Sequence, residues 1–255
     1  YGDGWNKVKV FTQELKFSSP ASSEKKLQWT AGSWLFHQNN PAKQAIHFGK
    51  DAALLGAPDS NFSTISSTKG RSTGMALFAQ STYAVTDKLN IIAGMRYDLE
   101  KKKYNVLGEY QKDPDPNPLF ETRPDTSASK NFSSFSPKLG IAYKINAGSI
   151  VFAMYSRGYR TGGFTQLSSD PSQPPLFAYQ PEYSNNIEVG VKNTLFHNRV
   201  QFNAAVFYST ITDVQVPTLV LPDAITVTKN AGKLNSKGFE MELSAIAVKG
   251  LDVDY

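Results

Sequence analysis

The stretch KLNIIAGMRYDLE, residues 88–100, carries an unbroken apolar row at every second position: Leu89, Ile91, Ala93, Met95, Tyr97 and Leu99. Between them stand Asn90, Ile92, Gly94, Arg96, Asp98 and Glu100, mostly polar and ending in three charges. An extended chain sends successive side chains to opposite faces, so this spacing builds a strand with one apolar and one polar side. Wound as a helix, the same residues leave no apolar stripe and scatter the charges around the axis. The pattern returns along the chain. Phe11, Leu15 and Phe17 oppose Thr12, Glu14 and Lys16; Phe135, Leu139, Ile141 and Tyr143 oppose Lys138, Gly140 and Lys144; Ile187, Val189 and Val191 oppose Asn186, Glu188 and Lys192. Such repeated period-two alternation reads as an all-β chain of about ten strands.

The connections fall into two alternating kinds. Segments 18–26, 86–88, 146–149, 196–199 and 248–250 are short and have hairpin-turn chemistry. Segments 39–70, 105–131, 161–182 and 214–228 are long and rich in Pro, Ser, Asn and Asp. Long loops on every second connection all lie at one end of an up-and-down sheet. Ten residues at about 3.4 Å each, tilted by about 40°, rise roughly 25 Å, the height of the apolar band of an outer-membrane barrel. The expected fold is therefore an antiparallel transmembrane β-barrel segment with short periplasmic turns and long extracellular loops. A soluble β-sandwich gives the same alternation, but its Greek-key connections do not put every long loop at one end. No apolar run reaches the roughly 20 residues of a membrane helix. Cysteine is absent, and the net charge of +5 is spread along the chain, without the dense basic run that nucleic acid requires.

Five stretches, in order, resemble the barrel of TonB-dependent outer-membrane receptors. FTQELKFSSPASSEKKLQWTAGSWLFHQ is similar to an early hairpin of that family, and ALFAQSTYAVTDKLNIIAGMRYDLEKKKY to the hairpin in which a TDKL turn leads to a strand. YSRGYRTGGF, then YQPEYSNNIEVGVKNTLFHNRVQFNAAVFYS and NAGKLNSKGFEMEL, resemble later strands. The resemblance implies that residues 1–255 are a partial barrel, with the plug domain and the barrel ends outside this chain. It also implies a place in the outer membrane of a Gram-negative bacterium. The expected partners are outer-membrane lipid, the protein's own plug, the TonB complex acting through a missing N-terminal region, and a small-molecule ligand, most plainly a ferric-siderophore-type iron complex. A passive porin, or a ten-stranded outer-membrane protease or lipase, is the alternative.

The candidate wall residues facing the lumen or plug are Arg96, Asp98, Glu100, Asn186, Glu188, Glu240 and Glu242. The candidate ligand contacts are Tyr155, Arg157 and Tyr159 below the 161–182 loop, and Phe164, Gln166, Phe177 and Tyr179 within it. An anionic iron complex would meet a cation and phenols there. The alternative is that the wall charges pair with one another or with the plug, since partly buried charges need partners in any case. No catalytic residue, metal ligand or cofactor is expected. Asp113 and Asp115 lack the spacing of a calcium loop, and G-x-S-x-G and H-E-x-x-H are absent. A hydrolase would have to bring His37 to Asp213.

Overall fold

The structure, a computed structural model, describes residues 1–20, 25–57, 59–166, 176–220, 225–248 and 251–254. The main sheet begins with β1 (Gly2–Asn6), β2 (Lys9–Ser18), β3 (Leu27–Phe48), β4 (Phe62–Ala84), β5 (Leu89–Lys112), β6 (Pro118–Asn146) and β7 (Ser149–Arg160). It continues through β10 (Glu182–Leu195), β11 (Val200–Thr212), β14 (Lys233–Val248) and β15 (Leu251–Asp254). Two small hairpins, β8 (Gly163–Gln166) with β9 (Leu176–Tyr179) and β12 (Gln215–Val220) with β13 (Ile225–Asn230), lie in the connections β7–β10 and β11–β14. Every pairing is antiparallel, and the strands of the main sheet stand in chain order. β1 and β2 follow one another along the same edge of β3, so the sheet is ten strands wide, as the alternation predicts.

Register sorts the faces. The outward rows join Leu77 to Tyr97 and Phe135, Ile91 to Ile141, and Val189 to Val206 and Phe239. These side chains are exposed, Phe239 by 71% and Met95 by 59%. A continuous apolar surface of this kind on a sheet needs lipid against it. The opposite rows carry Arg96, Asp98, Glu100, Asn186, Glu188, Glu240 and Glu242. Among the described residues no helix is long and apolar enough to cross a membrane; the crossing is made by strands.

Side chains fix the short turns. Thr86 Oγ1 accepts from the Lys88 and Leu89 amides, and Asn146 Oδ1 accepts from the Gly148 amide. In the turn after β10, Phe196, His197 and Asn198 all adopt positive φ. Residues 21–24 of the first turn and 249–250 of the last lie outside the described residues.

The long connections differ from expectation at 39–70 and 105–131. There β3, β4, β5 and β6 continue as strand, leaving only 49–61 and 113–117 as loop. Above the lipid both faces of a strand are wet, so Thr, Ser, Asn and Lys occupy both and the period-two contrast disappears. The extended wall is held by a ladder of stacked rings across four strands: Phe48–Phe62, Phe62–Tyr110 and Tyr110–Phe120, with centroids 4.5, 5.1 and 4.8 Å apart.

Candidate functional site

The polar wall satisfies itself first. Arg96 Nε donates to both oxygens of Asp98 at 3.0 and 2.9 Å, and its Nη2 reaches Asp98 Oδ1 at 2.8 Å. The same guanidinium lies 5.8 Å from the Trp34 ring centre. Glu100 pairs with Lys102 at 3.6 Å. Asn186 accepts from Ser209 Oγ at 2.6 Å, and Glu242 from Asn203 Nδ2 at 3.2 Å. Glu188, Glu240 and Glu242 line one groove with Lys192 and Phe152. Arg96 and Asp98 thus pair with each other, and Glu100, Asn186 and Glu242 with other side chains of the same wall.

The connection after β7 folds onto this wall. The β8–β9 hairpin touches β5 and β6, and Phe164 and Tyr179 close a groove of about 190 Å³ whose floor is Gln38, Ser72, Lys102 and Tyr104. All four floor residues lie on the polar face, in register across β3, β4 and β5. Gly162 permits the fold-over, because a Cβ there would collide with the Tyr179 carbonyl and the Phe132 ring. The next long connection pins the hairpin from the other side. Gln215 Nε2 donates to the carbonyls of Thr161 (2.9 Å) and Gln180 (3.1 Å), and its amide donates to Glu182 Oε2 at 2.7 Å. Asn230 Oδ1 accepts from the Gln180 amide, while its Nδ2 donates to the carbonyls of Gln180 and Asp213. The Thr228 amide donates to Thr165 Oγ1. Residues 167–175 and 221–224, and the side chains of Gln166 and Phe177, lie outside the described residues.

Tyr155 is a correction. Its cross-strand partners, Leu139 and Ile187, belong to the outward apolar face, and its hydroxyl donates to Asn185 Oδ1 at 2.8 Å. Tyr208 does the same to Asn235 on β14 at 3.2 Å, so both phenols stand in an outward aromatic belt. The segment YSRGYR has polar residues at both parities, and register alone decides which row faces in. Arg157 and Tyr159 keep the parity of Tyr155 but lie above Lys138–Ser156, the last β6–β7 pair. The Arg157 guanidinium covers the Tyr183 ring at 4.4 Å, and the Tyr159 ring stands 5.9 Å from it. Arg157 Nε, Tyr159 Oη and Thr161 Oγ1 are buried there without a well-formed hydrogen bond among the described residues.

His37 and Asp213 do not meet. His37 Nδ1 is 2.8 Å from Thr73 Oγ1, and β4, β5, β6, β7 and β10 separate β3 from the β11 end that carries Asp213. Sequence reasoning missed a different histidine cluster. Ser63 donates to Asp113 at 3.1 and 3.0 Å and lies 2.7 Å from His47 Nδ1, while His47 Nε2 is 3.4 Å from Asp3. Ser63 is 0% exposed, so this set ties β1, β3 and β4 to the loop after β5 and offers no nucleophile to a substrate.

A second tie closes the 49–61 loop. Lys112 Nζ donates to Asp59 Oδ1 at 2.6 Å, and Tyr110 Oη to Asp59 Oδ2 at 2.8 Å. The Lys112 bond first, then the Ser60 amide and the Tyr110 hydroxyl, hold the Asp59 carboxyl down at about 2, from 3.8. A depressed carboxyl stabilises the fold above its ordinary range, and the contribution is lost as pH falls toward 2. An NMR titration of Asp59 is expected to find its midpoint near 2. A midpoint near 3.8 would mean that the Lys112 clip does not form in solution.

A family model described as "TonB dependent receptor-like, beta-barrel" matches residues 4–251. The metal-pseudopaline receptor CntO of Pseudomonas aeruginosa (strain UCBPP-PA14) is 24% identical over 170 residues, which is 67% of this chain and 21% of that receptor. The solved structure of the ferric yersiniabactin uptake receptor FyuA from Yersinia pestis aligns at a TM-score of 0.78 and 18% identity, over 99% of this chain and 35% of its own. The siderophore receptor PiuA from Acinetobacter baumannii aligns at 0.70 and 14% identity, over 98% of this chain and 38% of its own. The chain thus spans well under half of each relative, and likenesses this distant carry the fold.

Proposed function

The chain belongs to the TonB-dependent receptor β-barrel family, and on that premise we propose that it forms part of the wall of an active importer of an iron-type metal chelate. The family is one of transport receptors in the Gram-negative outer membrane, and no enzyme activity is assigned to this wall. In this reading, residues 1–255 are barrel alone, and the plug, the barrel ends and the TonB-contacting segment belong to the rest of the protein. The observation that carries the reading is the fold-over of the β8–β9 hairpin onto the polar wall. Lys102, Tyr104, Tyr179 and Phe164 converge in that groove, and the buried Arg157 Nε and Tyr159 Oη lie at the hairpin's base. Cations and phenols set around a groove suit an anionic chelate whose metal is already enclosed, because they recognise the charge and rim of the complex without competing for the metal. Arg157 and Tyr159 contact the ligand when the hairpin closes, with Phe164 and Tyr179 as its cover. Arg96, Asp98, Glu100, Asn186, Glu188, Glu240 and Glu242 face the plug and hold it.

The test uses the full-length receptor with a panel of ferric catecholate, hydroxamate and mixed-donor chelates, with ferric ion alone as control. One class is expected to bind, and its uptake by cells is expected to stop when the proton gradient is collapsed. Arg157→Ala removes a charge-assisted contact and is expected to weaken binding about tenfold, about 1.4 kcal/mol. Uptake that continues without the gradient would make the barrel a passive pore.

A further inference from the structure

On the polar side of β3–β6, lysines gather at the end that carries the short turns. The inward row Thr30–Gln80–Gly94–Lys138 is followed by Gln28–Thr82–Ile92–Gly140 and then by Ala84–Asn90–Ala142. Lys26 joins the last of these, since the Ala84 amide donates to its carbonyl at 2.7 Å. One row lower the Lys144 amide donates to the Lys88 carbonyl at 2.8 Å, so these two lysines stand opposite each other. By the alternation of the strands, Lys26, Lys88 and Lys144 lie on the face of Arg96. The outward side chains at this height, Leu27, Tyr83, Ile91, Ile141 and Tyr143, belong to the apolar surface that meets lipid. Lys26, Lys88 and Lys144 are exposed, and none pairs with a carboxylate among the described residues. Like charges directly across a strand pair destabilise it, and a bound anion offsets that cost. Lys25, Lys26 and Lys144 line a groove of about 540 Å³ together with Gln28, Thr82 and Asn90, and Asp87 in the turn is the sole carboxylate on its lining among the described residues.

We propose that this groove is a second anion site, at the periplasmic end of the solute path, for a small solute that bears several carboxylate or phosphate oxygens. Three features select that occupant. Ammonium groups converge with the neutral donors of Gln28, Asn90 and Thr82, a set that surrounds a compact polyanion on several sides. The groove is concave and of small-molecule size. Its place also matters, because the polar wall is sorted by charge along its lower half. The β10–β14 side presents Glu188, Glu240 and Glu242 to its groove, which repel an anion. The β3–β6 side leads from Lys102 under the hairpin, past Lys138 with its Nζ 3.3 Å from Gln80 Oε1, to Lys144 and Lys26. An anion released from the hairpin groove is therefore drawn down β3–β6 and held last at the turns. As the exit station of an importer the site rests on the function proposed above; as an anion site it rests on its own geometry.

The test is made on the full-length receptor in a mild non-ionic detergent. Amines are acetylated in a timed pulse in pyrophosphate, citrate or sodium chloride at matched ionic strength, and the rate at each lysine is read by peptide mass spectrometry. At ten times its dissociation constant, pyrophosphate or citrate is expected to slow modification of Lys26 and Lys144 about tenfold. Lys237, exposed opposite Tyr208 on the outward face of β14, is expected to keep its chloride rate. Lys88→Gln with Lys144→Gln is expected to remove the protection of Lys26, and the charge-keeping pair Lys88→Arg with Lys144→Arg to retain it. Equal slowing at Lys26, Lys144 and Lys237, or no slowing at all, in the unaltered receptor would overturn the site without reliance on any variant. Lysines already unreactive in chloride would overturn it as well, because the groove would then be filled by the rest of the protein. Protection that persists in a receptor whose chelate uptake ignores the proton gradient would uphold the site and overturn only the importer reading.

Discussion

Met95→Arg is expected to destabilise the barrel by about 2–4 kcal/mol in a bilayer, whereas Leu99→Arg, on the same strand and the same face, costs about 0–1 kcal/mol. Met95 is paired with Ala79 and Pro137 in the outward rows and is 59% exposed, so its side chain meets lipid and not protein. It lies midway between the turn at Thr86–Lys88 and the basic rows above Leu99, at the depth where a guanidinium has neither water nor headgroup within reach. An arginine at 99 reaches the headgroup region by extending its stem. The contrast between the two sites isolates the membrane from packing, because neither side chain is enclosed by neighbouring protein. Reversible denaturant unfolding of the full-length receptor in phospholipid vesicles measures both. Equal costs at 95 and 99 would mean that the apolar face is not graded by depth and is covered by something other than a bilayer.

That face was legible in the sequence because lipid imposes a strict rule on it: every second residue must be apolar, and any slip of one residue turns Arg96, Asp98 and Glu100 outward. The alternation of short and long connections was legible for a related reason, since turn chemistry is local. Legibility stopped where the rule relaxes. Above the lipid, residues 39–48, 62–70, 105–112 and 118–131 carry polar side chains on both faces, and strands there read as loops. Parity also fails to say which face is which in YSRGYR, and only the pairing of Tyr155 with Leu139 and Ile187 puts it on the outward side. The pairings Arg96–Asp98 and Glu100–Lys102 are contacts between same-face neighbours two residues apart, so Lys102 could have been placed beside Glu100 by counting. Gln215 and Asn230 could not have been found this way. Their partners, the carbonyls of Thr161, Gln180 and Asp213, are backbone atoms in segments with no periodicity, and only the tertiary arrangement of two long connections brings them together.

Gln215→Ala is expected to release the β8–β9 hairpin while leaving the barrel intact. Gln215 is buried, and its carboxamide is the shared donor to the Thr161 and Gln180 carbonyls at the two ends of the hairpin. Alanine leaves the Thr161 carbonyl without that donor in a site shielded from water. The Gln180 carbonyl keeps Asn230. Orphaning a buried acceptor costs about 1–3 kcal/mol, and almost all of it falls on the closed hairpin, because Gln215 is no part of the main sheet. Hydrogen exchange at Gly163–Gln166 and Leu176–Tyr179 should therefore quicken by roughly ten- to a hundredfold, with the barrel's own unfolding midpoint unmoved. Gln215→Glu goes further, since it removes the donor and places a second carboxylate beside Glu182, which already accepts from the residue 215 amide and pairs with Arg160 at 3.5 Å. If the hairpin closes over the ligand, both variants lower chelate affinity by the fraction of time it stands open, and the glutamate variant lowers it more. Faster exchange with unchanged affinity would separate the two roles: the hairpin would be a cover on the wall, and recognition would rest with Arg157, Tyr159 and the groove floor.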